Sequence, residues 1–150
     1  MGSFIDLSAA DGFKLPAYLA APAGQTKGAV VVLQEIFGVN SHIRSVADGY
    51  AAAGYLAIAP ELFDRQGDAQ GYGEMAKLIA EVISKVPDAQ VMGDLDACVR
   101  WAGENGGNLD KVGVTGFCWA AAKLGCMPRT TRASRLAWRG TAVWSARLPR

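Results

Sequence analysis

The chain has 150 residues, of which 51% are hydrophobic and 19% charged, so its composition suits one ordinary globular domain and excludes disorder throughout. Residues 1–7 lack the basic start and apolar run of a signal peptide, and no 18-residue apolar stretch could span a bilayer, which together predict a cytoplasmic protein without a membrane partner. Three cysteines without a CxxC pair indicate neither a disulfide framework nor a zinc site, and we expect no metal and no cofactor.

The charge is divided unevenly along the chain. Residues 1–119 contain all 14 acidic residues and 8 Lys or Arg, for a net charge of −6, whereas residues 120–150 contain 7 Lys or Arg and no acid. The two segments therefore look unrelated.

Predicted strands begin with a hairpin. Residues 3–7 and 14–20 flank Asp11-Gly12, a dipeptide typical of a tight turn between antiparallel strands. Three later runs are short, apolar and partly β-branched, as the strands of a buried parallel sheet are: residues 28–34, 55–59 and 111–115.

Three amphipathic segments alternate with these runs. Residues 41–53 begin with Ser41 as the expected N-cap, residues 72–86 follow, and residues 88–102 begin with Asp88 as a cap and end before Gly103. Alternating strands and helices predict a doubly wound parallel sheet in a three-layer α/β architecture.

The last predicted strand runs directly into Gly116-Phe117-Cys118-Trp119. A nucleophile on a sharp strand-to-helix bend is exposed at the carboxyl edge of a sheet, beside backbone N–H groups that can hold an oxyanion. The usual second glycine is replaced by Ala120. The alternative interpretation is that Cys118 is a small buried hydrophobe, which is common for a cysteine after a strand.

Four features together resemble the dienelactone hydrolase family: the leading hairpin, Leu33-Gln34-Glu35-Ile36-Phe37-Gly38, Ala59-Pro60-Glu61-Leu62-Phe63, and Gly116-Phe117-Cys118-Trp119. Each motif falls at the carboxyl end of a predicted strand, where α/β proteins place their sites. The resemblance covers residues 3–119. It implies the N-terminal half of an α/β-hydrolase fold, with residues 120–150 as an aberrant Arg-rich tail.

The resemblance also implies roles for particular residues. The family uses a Cys, Asp and His triad, and Cys118 matches its nucleophile. Glu35 matches a glutamate that contacts the resting thiol and moves away when substrate binds, although it could also be an ordinary loop carboxylate. The oxyanion donors would be the backbone N–H groups of Ile36 and Trp119.

His42 and Arg65 are two further residues near the expected site. Residues 119–150 contain no Asp, Glu or His, so the triad acid and base are absent from this chain. His42 is the only histidine, and its position next to the expected cap predicts a surface or helix-start residue rather than a displaced base. Arg65 is a weak candidate for binding a substrate carboxylate, and a solvated loop position is the preferred interpretation.

The codons around residue 119 favour a frameshift as the origin of the tail. If one base was lost there, the only codon for Trp119 and the fixed first two bases of an Ala120 codon combine to GGC, which encodes the missing glycine. In the same shifted frame, residues 136–144 permit a strand that resembles the family, and Cys126 with Met127 permits His or Tyr.

The sequence therefore predicts a relative of carboxylic ester hydrolases that act on small lactones or esters, in a form with negligible activity. The alternative is a non-catalytic binding module whose basic tail contacts nucleic acid or acidic partners. A third possibility is a half-domain completed by another chain that supplies Asp and His.

Overall fold

Five strands form one mixed sheet in the order β1-β2-β4-β3-β5. The computed structural model describes residues 1–117 and Trp119; Cys118 and the predictions for residues 120–150 lie outside the described residues. The strands are β1 (Ser3–Ser8), β2 (Lys14–Ala20), β3 (Ala29–Leu33), β4 (Leu56–Pro60) and β5 (Val112–Gly116).

The hairpin is continuous with the parallel part of the sheet. Strands β1 and β2 pair antiparallel, with Ser8 opposite Lys14, and β2 then pairs antiparallel with β4. Strand β3 pairs parallel with both β4 and β5. After β3, the chain first forms β4 on one side of β3 and later forms β5 on the other side of β3. The gap between β3 and β5 is therefore a topological switch point.

Helices connect the parallel strands. Helix α1 (Ser41–Ala52) joins β3 to β4, and the connection from β4 to β5 contains α2 (Met75–Glu81) and α3 (Asp88–Glu104), with short 3₁₀ turns at Ala69–Gly71 and Ile83–Lys85. Asn40 caps α1, because its side chain accepts a hydrogen bond from the Ile43 N–H.

The two faces of the sheet bury different residues. Alternate positions of β3 and β4 point to opposite sides, as strand geometry requires. One face, packed with α3, includes Val31, Leu33 and Ile58, while the other, packed with α1, includes Ala57 and Ala59. The small alanines let α1 approach the sheet closely.

The predicted strands agree with the observed ones to within one residue at each end, and the predicted helices over residues 41–53 and 88–102 agree to within two residues. The predicted helix over residues 72–86 is wrong: it is replaced by α2 and a 3₁₀ turn, because the backbone leaves the helical path at Val82. Leu78, Val82 and Val86 are nevertheless all buried, so the apolar spacing is satisfied by a broken helix.

The predicted helix caps also need correction. Asn40 rather than Ser41 precedes α1, and Pro87 rather than Asp88 precedes α3. Helix α3 continues past Gly103 to Glu104.

Among the helices that the structure describes, none is long and apolar enough to cross a membrane.

Candidate active site

The loop after β3 carries Glu35 and the backbone N–H of Ile36. It forms a tight turn in which the Gly38 N–H donates to the Glu35 carbonyl at 3.3 Å. Gly38 has a φ of +73°, a left-handed conformation that favours glycine. Within the described part of the chain, the Ile36 N–H donates to no backbone acceptor outside the helices and strands.

Glu61, at the start of the loop after β4, holds the far end of that turn. Its Oε2 accepts a hydrogen bond from the Val39 N–H at 3.2 Å, and its Oε1 lies 3.5 Å from Gln70 Nε2. Burial, more than any other cause, raises the pKa of Glu61, and the Val39 N–H opposes this rise without cancelling it. A carboxylate partly removed from water therefore supports the Glu35 loop.

A second hydrogen bond crosses between the same two loops in the opposite sense. The Leu62 N–H donates to Gln34 Oε1 at 2.8 Å. Gln34 is fully buried, and its Nε2 has no hydrogen-bond partner among the described residues. The ends of β3 and β4 are thus tied by two reciprocal contacts.

The end of β5 lies at the same edge of the sheet. Leu33 and Gly116 are register partners in the parallel pair of β3 and β5. The loops that begin at Gln34 and Phe117 therefore leave the sheet at the same edge. Cys118 is outside the described residues. Trp119 is partly buried, and its ring meets that of Phe63 edge to face, with centroids 4.8 Å apart.

His42 lies beside these loops. It is the second residue of α1, as the sequence predicted, and its side chain is half exposed. Its Nε2 is 3.8 Å from Glu35 Oε1, and its ring meets that of Phe117 edge to face at 5.4 Å. The sequence placed His42 on the helix but did not indicate that it contacts Glu35.

The prediction that Arg65 is a solvated loop residue is wrong. Its side chain is only 16% exposed and pairs with Asp11 and Asp94, each at 2.6 Å, while its guanidinium lies 4.1 Å from the ring centroid of Phe13. Burial raises the pKa of Asp94 despite the adjacent Arg65. Arg65 therefore ties the hairpin turn to α3.

Cys98 does not resemble a nucleophile. It is fully buried in α3, and burial strongly raises the pKa of its thiol. Residues 1–117 and Trp119 contain no cluster of His, Cys, Asp or Glu that could hold a metal ion.

A groove of about 400 Å³ lies along the C-terminal part of α3, lined by Asp96, Val99, Arg100, Gly103, Glu104 and Leu109. Leu109 precedes β5, so the groove lies toward the amino ends of the parallel strands. It is therefore separate from the candidate site.

The sequence-predicted residues Glu35, Ile36 and Trp119 follow adjacent strands of a doubly wound sheet, on the carboxyl side of its switch point. The sequence also contained Gln34 and Glu61 in the motifs that carry the resemblance, but it did not indicate their contacts. A buried sheet of this topology with a candidate site at this edge is that of an α/β-hydrolase, of which the chain comprises the N-terminal half.

Comparisons with known proteins identify the family. A model described as "Dienelactone hydrolase family" matches residues 15–127. A Yersinia pestis protein, described as a proposed carboxymethylenebutenolidase, is 44% identical over 136 residues, covering 88% of this chain and 51% of the relative. A Pseudomonas putida carboxymethylenebutenolidase is 31% identical over 122 residues, covering 79% of this chain and 52% of the relative.

A crystal structure of a proposed dienelactone hydrolase from Klebsiella pneumoniae is 45% identical, with a TM-score of 0.74 over 79% of this chain and 50% of that one. The chain belongs to the dienelactone hydrolase family. It spans about half the length of these relatives. The family match continues past Trp119 to Met127, while the division into residues 3–119 and 120–150 stays a prediction.

Proposed function

We propose that this chain carries the nucleophile and oxyanion-binding half of a hydrolase for small lactones or esters, with Cys118 as the nucleophile. The observation that supports this most is the convergence of the loops after β3 and β5 at the switch point, with Leu33 and Gly116 in register. The names of the relatives support a carboxylic ester or lactone as the substrate class.

The chemistry follows from the position of each group. The Cys118 thiolate attacks the carbonyl carbon, a C–S bond forms, and the carbonyl oxygen becomes an oxyanion that accepts hydrogen bonds from the Ile36 and Trp119 N–H groups. Collapse of this intermediate re-forms the carbonyl and breaks the C–O bond, the leaving oxygen departs with the electron pair of that bond, and a thioester remains on Cys118. Glu35, in the loop after β3 next to Ile36, is the proposed partner of the resting thiol.

The second half of the reaction requires a base that activates water. In related hydrolases a histidine oriented by an acid performs this step, and residues 119–150 contain neither His nor Asp nor Glu. Losing triad members typically costs roughly 10⁴-fold to 10⁶-fold in rate. We therefore expect this chain to acylate but to release product at a negligible rate.

Peptide mapping by mass spectrometry after incubation with p-nitrophenyl acetate tests the nucleophile. We expect one acetyl group on the peptide that contains Cys118, and none at that position in Cys118→Ser. Buried Cys98 should stay unmodified and so serves as the internal control. Acetylation spread over lysines, with Cys118 spared, would contradict the assignment.

A further inference from the structure

The segment Glu61-Leu62-Phe63, here called the β4 bracket, contacts the neighbourhood of both proposed oxyanion donors. At one end, Glu61 accepts from the Val39 N–H, three residues after Ile36. At the other end, the ring of Phe63 packs edge to face on that of Trp119. One tripeptide therefore touches the two loops whose relative position decides where an oxyanion can bind.

The Glu61 contact is a close fit. A Cβ placed on Gly38 would lie 2.9 Å from Glu61 Oε2, so the turn that follows Ile36 closes directly against the carboxylate. The Gly38 N–H also donates to the Glu35 carbonyl, which belongs to the same peptide unit as the Ile36 N–H, so a chain of contacts links Glu61 to that peptide unit. Glu61 thus restrains the direction of the Ile36 N–H.

The bracket is itself held on several sides. Glu61 N–H donates to the Pro16 carbonyl at 2.8 Å, and Leu62 N–H donates to Gln34 at 2.8 Å. The Leu62 carbonyl accepts from Gln90 Nε2 at 3.2 Å. Phe63 is fully buried. These contacts hold the backbone of the β4 bracket in place.

We propose that Glu61 and Phe63 are positioning residues that together set the separation of the Ile36 and Trp119 N–H groups. This inference rests on the proposed function. Neither residue is assigned a contact with the reacting atoms. Each acts through a different donor, Glu61 through the loop after β3 and Phe63 through the indole of Trp119.

Two reactions of the same thiolate isolate this effect. Acylation by p-nitrophenyl acetate passes through an oxyanion, in which a C–S bond forms and p-nitrophenolate departs with the electron pair of the broken C–O bond. Alkylation by iodoacetamide displaces iodide at a tetrahedral carbon and forms no oxyanion. A change in thiol exposure or ionisation alters both rates, so the ratio of acylation to alkylation reports the oxyanion donors.

The experiment measures this ratio at Cys118 in the full chain and four variants. Because removal of an oxyanion donor costs about 10²-fold to 10³-fold, we expect its misplacement in Glu61→Ala to lower the ratio by about tenfold. Glu61→Gln keeps an acceptor for the Val39 N–H and should stay within about twofold of the parent chain. Phe63→Leu should lower the ratio severalfold while keeping an apolar side chain in the core.

Phe4→Leu is the control for loss of a ring pair at an exposed position, since it removes the edge-to-face pair with Tyr18 from the hairpin. It should leave the ratio unchanged. Unchanged ratios in both Glu61→Ala and Phe63→Leu would refute the positioning role of the β4 bracket while leaving the proposed function intact. A parent chain whose ratio equals that of a short cysteine peptide would instead refute the oxyanion site, and the bracket with it.

Discussion

Arg65 shows most clearly how a single residue can differ from its sequence interpretation. It looked like a loop residue because its two partners are distant in sequence: Asp11 is 54 positions away and Asp94 is 29. Local pattern carries no information about such pairs. The structure instead makes Arg65 the link between the hairpin turn and α3.

Asp94→Asn should therefore destabilise the fold. Asp94 is 1% exposed, and neutralising it removes the buried partner of a guanidinium that is itself largely buried. Breaking such a pair typically costs several kcal/mol, so we expect a loss of about 3 kcal/mol in the free energy of unfolding, measured with urea. Glu74→Gln, which weakens the exposed pair with Lys77, should cost less than about 0.5 kcal/mol. Equal losses in the two variants would refute the assignment.

The raised pKa of Glu61 makes the stability of the fold depend on pH. Burial raises its folded pKa above the ordinary value of 4.5, so the folded state binds the proton more tightly than the unfolded state. The stability that this proton contributes is complete below pH 4.5 and is lost as the pH rises through the folded pKa. The stability of the parent chain relative to Glu61→Gln should thus fall from pH 4 to pH 7 in urea titrations. A constant or rising difference would show that Glu61 is not desolvated.

The turn after β3 is the element on which the candidate site depends most. Gly38→Ala should destabilise it, because the left-handed backbone costs a non-glycine residue about 1–2 kcal/mol and the added Cβ would crowd Glu61. Gly93→Ala is the matched control: Gly93 lies inside α3 with nothing within 4 Å of the added Cβ. That change should stabilise the chain by about 0.5–1 kcal/mol. Thermal unfolding of both variants would separate the effects, and equal shifts of Tm would contradict the account of the turn.

Strands were predictable from the sequence, whereas the first part of the long connection between β4 and β5, before α3, was not. Runs such as Val30–Leu33 are apolar and β-branched because the sheet is covered on both faces, and this leaves a direct mark on the sequence. The segment after Tyr72 only had to bury Leu78, Val82 and Val86, and both a continuous and a broken helix do so. The contacts of Gln34 and Glu61 were hidden because a polar residue after a strand does not indicate its partner.

At the scale of the whole molecule, the chain matches about half the length of its relatives in the family. The switch point and the two supporting loops belong to this half. The triad acid and base would follow the nucleophile in chain order, and residues 119–150 supply neither. Under the proposed function, we therefore expect acylation by this half of the fold without deacylation.

Burst kinetics with p-nitrophenyl acetate test this separation most directly. We predict release of at most one equivalent of p-nitrophenolate per chain, dependent on Cys118, followed by a steady state no faster than the Cys118→Ser background. A continuing steady state that requires Cys118 would contradict the absence of a functional base. No Cys118-dependent burst would contradict the nucleophile itself.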